Sequence, residues 1–218
     1  MKKIKNGFFI TFEGAEGVGK STQTKLLKSY LESQGYNVLL TREPGGTDVG
    51  DKLAEIVKYF NGKEKITDEA ELFMFSASRA MIVDAVIKPF LNDGGIVICD
   101  RFYDSTAAYQ GYGRGISLEI IETLKEIAVK GCYPDLTILL EANLEKAMGR
   151  AQKETQKLGK EDRMENEKMT FHQKVKEGFS KIASENPERV ARINADGTIE
   201  DINKVILSKV EDAISKVQ

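Results

Sequence analysis

Short apolar runs alternate along the chain with longer stretches whose apolar residues recur about one helical turn apart. The runs at residues 8–12, 38–41, 96–99, 136–140 and 190–193 are too short for helices and rich in β-branched or aromatic residues. Near-continuous apolar character is what strands buried on both faces require, so these five are predicted to be strands of a parallel sheet. Between them, residues 21–34 carry Leu26, Leu27, Tyr30 and Leu31 in helical spacing, and Gly35 closes that helix. Residues 67–92 read as one long helix, with Thr67 as cap, Glu69 and Glu71 in the first turns and Pro89 kinking the end. Residues 117–130 and 198–217 complete the set. Strands alternating with helices predict an α/β fold, a five-stranded parallel sheet flanked by helices. The stretch 144–167 differs. It is crowded with charge and poor in apolar residues, and is expected to be helical, exposed and mobile.

Composition narrows the partners. At 218 residues, 41% of them apolar, the chain can bury one sizeable core, and a single domain over 1–218 is expected. The net charge of −2 argues against a general nucleic-acid or anionic-membrane binder, either of which needs a basic excess. No apolar stretch approaches the roughly 20 residues of a membrane span, and the run after the basic N-terminus is too short for a signal-peptide core. Cys99 and Cys132 lack metal-type spacing, and a reduced, cytoplasmic location is expected. His172 is the sole histidine, which disfavours a histidine-centred triad; a solvated helix face is its expected place.

The candidate chemistry begins at Gly14-Ala15-Glu16-Gly17-Val18-Gly19-Lys20-Ser21, which fits the phosphate-binding pattern G-x-x-x-x-G-K-[ST]. It follows a predicted strand and opens a predicted helix, as that chemistry demands. Glycines let the backbone aim N–H groups at phosphates while the helix N-terminus adds positive potential. Lys20 is expected to reach the β- and γ-phosphates of a nucleotide, and the Ser21 hydroxyl to sit on Mg²⁺. Thr22 adjoins it. The strand at 96–99 ends in Asp100, an acid that a parallel sheet brings beside the loop. Asp100 is expected to hold the metal and Arg101 to face the phosphates.

Around this loop, Thr41-Arg42-Glu43-Pro44-Gly45-Gly46, Asp100-Arg101-Phe102-Tyr103-Asp104-Ser105 and Ala108-Tyr109-Gln110-Gly111 closely resemble motifs of bacterial thymidylate kinases in kind, order and spacing. The resemblance covers essentially the whole chain. It implies the P-loop nucleoside-monophosphate-kinase fold with a small helical lid, transfer of the γ-phosphoryl group of ATP to dTMP with Mg²⁺ as cofactor, and a homodimer. By position it implies that Phe75 stacks on thymine and Arg79 hydrogen-bonds its exocyclic oxygen, although Phe75 read alone, beside Phe73 and Met74, is more readily a core aromatic. Ser105, Thr106, Tyr109 and Gln110 then line the rest of the pocket, with Tyr109 near the deoxyribose. Glu16 would accept from the acceptor's 3′-hydroxyl. The loop carries no cation at Gly17 or Val18, so the resemblance moves the catalytic cation to the lid. There Arg150 would flank adenine and Arg163 would be the lid cation; Lys153, Lys157 and Lys160 serve similarly or form a solvated face.

One position departs from the pattern. Members commonly place a phosphate-binding arginine in the helix after Glu-Pro-Gly-Gly, where this chain has Ala54; Lys52, Arg101 or Arg42 would have to compensate. Two other classes compete with the reading. A kinase of the same fold acting on another acceptor is disfavoured by Phe75, Arg79 and Gln110. A GTP-dependent switch would carry Asn-Lys-x-Asp, whereas Asn203-Lys204-Val205-Ile206 lacks the acid.

Overall fold

The computed structural model describes residues 1–158 and 162–217, the side chains of 154–158 excepted. The five predicted strands are β1 (Phe8–Glu13), β2 (Val38–Arg42), β3 (Ile96–Asp100), β4 (Leu136–Glu141) and β5 (Val190–Asn194). They run parallel in the order β2-β3-β1-β4-β5. The register sets Phe12 and Arg42 on either side of Asp100. The carboxyl ends of the central strands therefore share one edge, where ligands of open α/β sheets bind.

The helices, among the described residues, are α1 (Lys20–Ser33), α2 (Asp48–Tyr59), α3 (Asp68–Ile82), α4 (Lys88–Asn92), α5 (Tyr103–Thr106), α6 (Leu118–Val129), α7 (Leu144–Leu158), α8 (Met169–Glu185) and α9 (Ile199–Ser215). Alternation along β1 sorts the two layers. Phe8, Ile10 and Phe12 pack toward Leu27, Leu31, Ile206 and Val210 of α1 and α9. Phe9 faces the other layer with Ile82, Val83, Ile87 and Phe102. By the strand's period of two, Thr11 and Glu13 share that second face. Thr11 lies 2.8 Å from Thr137, oxygen to oxygen, so this face turns from apolar to polar as it nears the loop.

Four expectations change. The helix expected over 67–92 is α3, a π-helical turn Val83–Ile87, then α4, with Pro89 at the start of the last piece. A proline lacks the N–H an uninterrupted ladder needs, and the wider turn stands just before it. Thr67 caps α3 as expected, accepting from the Ala70 N–H at 3.2 Å. Helix α8 was not foreseen; it buries Phe171, Val175, Phe179 and Ile182. His172 belongs to that buried set rather than to a solvated face, because α8 packs on the π-helical segment Ala107–Gly113 along a wide stripe, with His172 edge-on to Phe171. Nor is 144–167 exposed throughout: Ala147, Ala151, Asp162 and Met164 are buried. The expectations for the side chain of Lys157 and for Lys160 fall outside what is described.

Candidate active site

The loop takes backbone shapes that glycine alone adopts freely. Gly14, Gly17 and Gly19 have φ of 127°, 70° and 100°. At Gly17 a Cβ would sit 2.0 Å from the Ala147 carbonyl oxygen, so the first turns of α7 press directly on the loop. Lys20 opens α1 and is buried, its Nζ donating to the carbonyls of Gly14 (3.1 Å) and Ala15 (2.8 Å). Burial and the Arg101 charge together lower its pKa to about 8, against the pull of Asp100, Glu16 and Glu13. Ser21 donates to Asp100 Oδ2 at 2.9 Å. Thr22 is exposed in the first turn of α1.

Beside the loop, Arg101 leaves β3 with φ of 70°, uncommon for a residue with a Cβ. Its N–H donates to Phe12 O (2.9 Å), while the guanidinium donates to Gly14 O (3.0 Å), Ser105 Oγ (3.1 Å) and Glu16 Oε1 (2.7 Å). The Tyr109 hydroxyl donates to the other oxygen of Glu16. Burial alone would raise Glu16, but Arg101, Lys20 and the Tyr109 hydroxyl outweigh it and hold the carboxyl at about 2. The carboxylate is ionised throughout the physiological range.

A pocket opens next to Glu16 and Arg101. Its walls include Phe75, Arg79, Ser105, Thr106, Tyr109 and Gln110, so the structure brings together every expected acceptor residue. Arg79 is almost fully buried. Its Nε and Nη2 meet Glu43 Oε2 at 2.9 and 2.7 Å, and Nη1 donates to Thr106 Oγ1 at 2.9 Å. Burial nonetheless raises Glu43 to about 7 against the pull of Arg79. Gln110 donates to buried Glu71, which also receives Arg114 and Arg163.

The lid residues part company. Arg150 is exposed on α7. Arg163, expected over the phosphates, is tied instead to Glu71 and to the Val57 carbonyl at 3.2 Å. Glu71 is buried and also faces Arg114 and Gln110. Exposed Lys52 and the surface pair Arg42–Asp51 stand outside the pocket lining.

The family model described as "Thymidylate kinase" matches residues 12–206. Among similar proteins, thymidylate kinases of Dehalococcoides mccartyi and Maridesulfovibrio salexigens are each 46% identical, over 93% and 94% of this chain and 95% and 96% of their own. The crystal structure of thymidylate kinase from Ehrlichia chaffeensis superposes with a TM-score of 0.75 at 35% identity, covering 94% of this chain and 98% of that one. The chain belongs to the thymidylate kinase family. It is thus a phosphotransferase with the P-loop nucleoside-monophosphate-kinase fold.

Sequence reasoning missed the carboxylates that hold this family site together. Glu13 accepts from Phe102 N (2.8 Å), Ser105 N (3.3 Å) and Ser105 Oγ (2.5 Å), so it caps α5 from another strand. Burial and the charge of Asp104 raise its pKa to about 8. An acid closing an apolar strand was the available signal. Glu71, read only as first-turn charge, and Lys58, which lines the pocket, carried no local mark.

Proposed function

We propose that the phosphate loop holds the donor and the pocket of Phe75 and Arg79 holds the acceptor of the family's reaction. That reaction transfers the γ-phosphoryl group of ATP to dTMP, giving dTDP and ADP. The observation that carries the assignment is Glu16: a loop carboxylate held ionised by Arg101 and Tyr109 at the mouth of the pocket, where it can accept from a sugar hydroxyl. Phe75 offers a flat face to a base, while Arg79 and Gln110 offer donors to its oxygens. A phosphate oxygen is already nucleophilic, so no side chain is needed to remove a proton from the acceptor.

Lys20 and Arg101 neutralise charge that spreads over the phosphoryl oxygens during transfer. Ser21 and Asp100 present adjacent hard oxygens of the kind Mg²⁺ prefers, and no denser cluster of three or more His, Cys, Asp or Glu stands among the described residues. Those two residues would hold the ion, which when bound shields the phosphates of ATP. Arg150 remains the candidate neighbour of adenine. Exposed Phe73, Ile120 and Ile127, at 57%, 51% and 63% exposure, support a homodimer. Cys99 and Cys132 are free thiols, which suits a cytoplasmic location. No helix among the described residues is long and apolar enough to cross a membrane.

Measuring ADP formation with dTMP, dUMP, CMP and AMP tests the assignment. The expected order places dTMP first; dTMP as the poorest acceptor would overturn it.

A further inference from the structure

We propose that Lys58 is an acceptor-binding cation whose ammonium holds the phosphate of the monophosphate. The inference rests on the reading that the pocket of Phe75 and Arg79 takes that monophosphate. A dianion entering there needs positive charge that is not already committed. Arg79 is neutralised by Glu43 and only 3% exposed. Arg101 divides its donors among Glu16, Gly14, Ser105 and Tyr109. Lys20 belongs to the donor loop.

Lys58 is different. It reaches the pocket from the last turn of α2, its side chain 34% exposed, and its field is felt at Glu16. Its ion partner among the described residues is Asp162 at 2.9 Å. The 162–164 segment has ties that do not use the Lys58 ammonium: the Arg163 N–H donates to the Lys58 carbonyl at 2.8 Å, and its guanidinium donates to the Val57 carbonyl at 3.2 Å and to Glu71. The lysine side chain can therefore turn from carboxylate to phosphate without releasing the 162–164 segment. A compact ammonium on a four-carbon stem suits that exchange, with three rotatable donors and no fixed plane. Ala54 lies one turn earlier on the same helix face and is too short to contribute, which leaves α2 with Lys58 as its cation at the pocket.

Titration calorimetry with dTMP and with thymidine, which lacks the phosphate, tests this. Lys58→Ala is expected to weaken dTMP binding about tenfold or more while thymidine binds as in the wild type, and Lys58→Arg to restore most of the loss. Asp162→Asn should bind dTMP at least as tightly as the wild type. Equal losses for both ligands, or none for either, would overturn the proposal, as would an Asp162→Asn loss matching that of Lys58→Ala, which would make the pair a mere latch. Far-UV circular dichroism checks that each variant folds, and Lys58→Gln gives a second neutral variant should the alanine fail. If the wild type binds neither ligand, the pocket reading itself fails.

Discussion

The phosphate loop and the acceptor pocket lie side by side and are built in opposite ways. The loop is one uninterrupted run, Gly14 to Ser21, whose work is done largely by backbone N–H groups in shapes only glycine adopts cheaply. Its cation, Lys20, is tied to carbonyl oxygens of the loop itself. The pocket is assembled from α2, α3, the segment after β3 and residues 162–164, and its charges are paired: Arg79 with Glu43 in the wall, and behind the wall Glu71, bonded to Gln110, with Arg114 and Arg163. A buried charge with a carbonyl partner can be removed without stranding another charge. A buried ion pair cannot lose one member that way. The loop should therefore separate catalysis from stability, and the pocket should couple them.

Lys20→Ala gives the largest separation. Turnover is expected to fall by a factor on the order of 10²–10³, as when one preorganised donor is lost from a transition state. Thermal unfolding should shift little, because the deleted ammonium is one that burial already disfavours. Near-normal turnover, or a drop in midpoint as severe as the drop in rate, would break the contrast.

Arg79→Ala tests the other half. It leaves Glu43 buried without its guanidinium, an arrangement that costs about 3–5 kcal/mol when the stranded group stays charged. Glu43 already sits at about 7, so the orphaned carboxyl rises further and takes up a proton, which brings the loss toward the lower end. Wild-type Glu43 already keeps its proton up to about 7, so the variant's stability deficit against the wild type should widen as pH rises above about 7, where only the variant's folded state still binds the proton. The KM for dTMP should rise as well. Arg79→Lys should rescue neither property, since Nε and Nη2 both bind Glu43 while Nη1 reaches Thr106. A stability loss independent of pH would show that Glu43 is not the group left exposed.

The same division explains what could be read in the chain. The strands and the loop were legible because their signals are local: apolar runs of strand length, and glycines at fixed spacing before Lys20 and Ser21. Phe75, Arg79, Tyr109 and Gln110 were legible only through their resemblance to a family, since a phenylalanine beside Phe73 and Met74 looks like core. Glu13, Glu43 and Glu71 were not legible as site residues. Each acts on groups far along the chain, Glu71 on Gln110, Arg114 and Arg163, and such meetings appear only once the helices are packed. The partner of Arg163 was hidden for the same reason, its charge being apparent from the sequence and the carboxylate it meets, Glu71, not. His172 followed the unforeseen helix α8 into the interior.

The smallest expected effect is a pH dependence that belongs to the loop and not to the pocket. Burial and Arg101 hold Lys20 near 8 in the unliganded protein, well below an ordinary lysine. Below that value the ammonium is present when ATP arrives. Above it the amine is neutral, and the phosphates must draw a proton back onto Lys20 as they bind. Affinity for ATP should then fall by up to tenfold per pH unit above about 8, with net proton uptake on binding measurable by calorimetry in two buffers. Bound phosphates raise the pKa of Lys20, so kcat, which reports the complex, should hold to higher pH than kcat/KM for ATP. The pocket's cations should not follow this profile, because Glu16 and neighbouring anions push the Arg101 pKa still further up and Asp162 does the same for Lys58; the KM for dTMP should instead respond near pH 7, where Glu43 beside Arg79 titrates. If kcat, kcat/KM for ATP and KM for dTMP all break at one pH, the titrating group is shared by both sites, and loop and pocket do not act as separate electrostatic units.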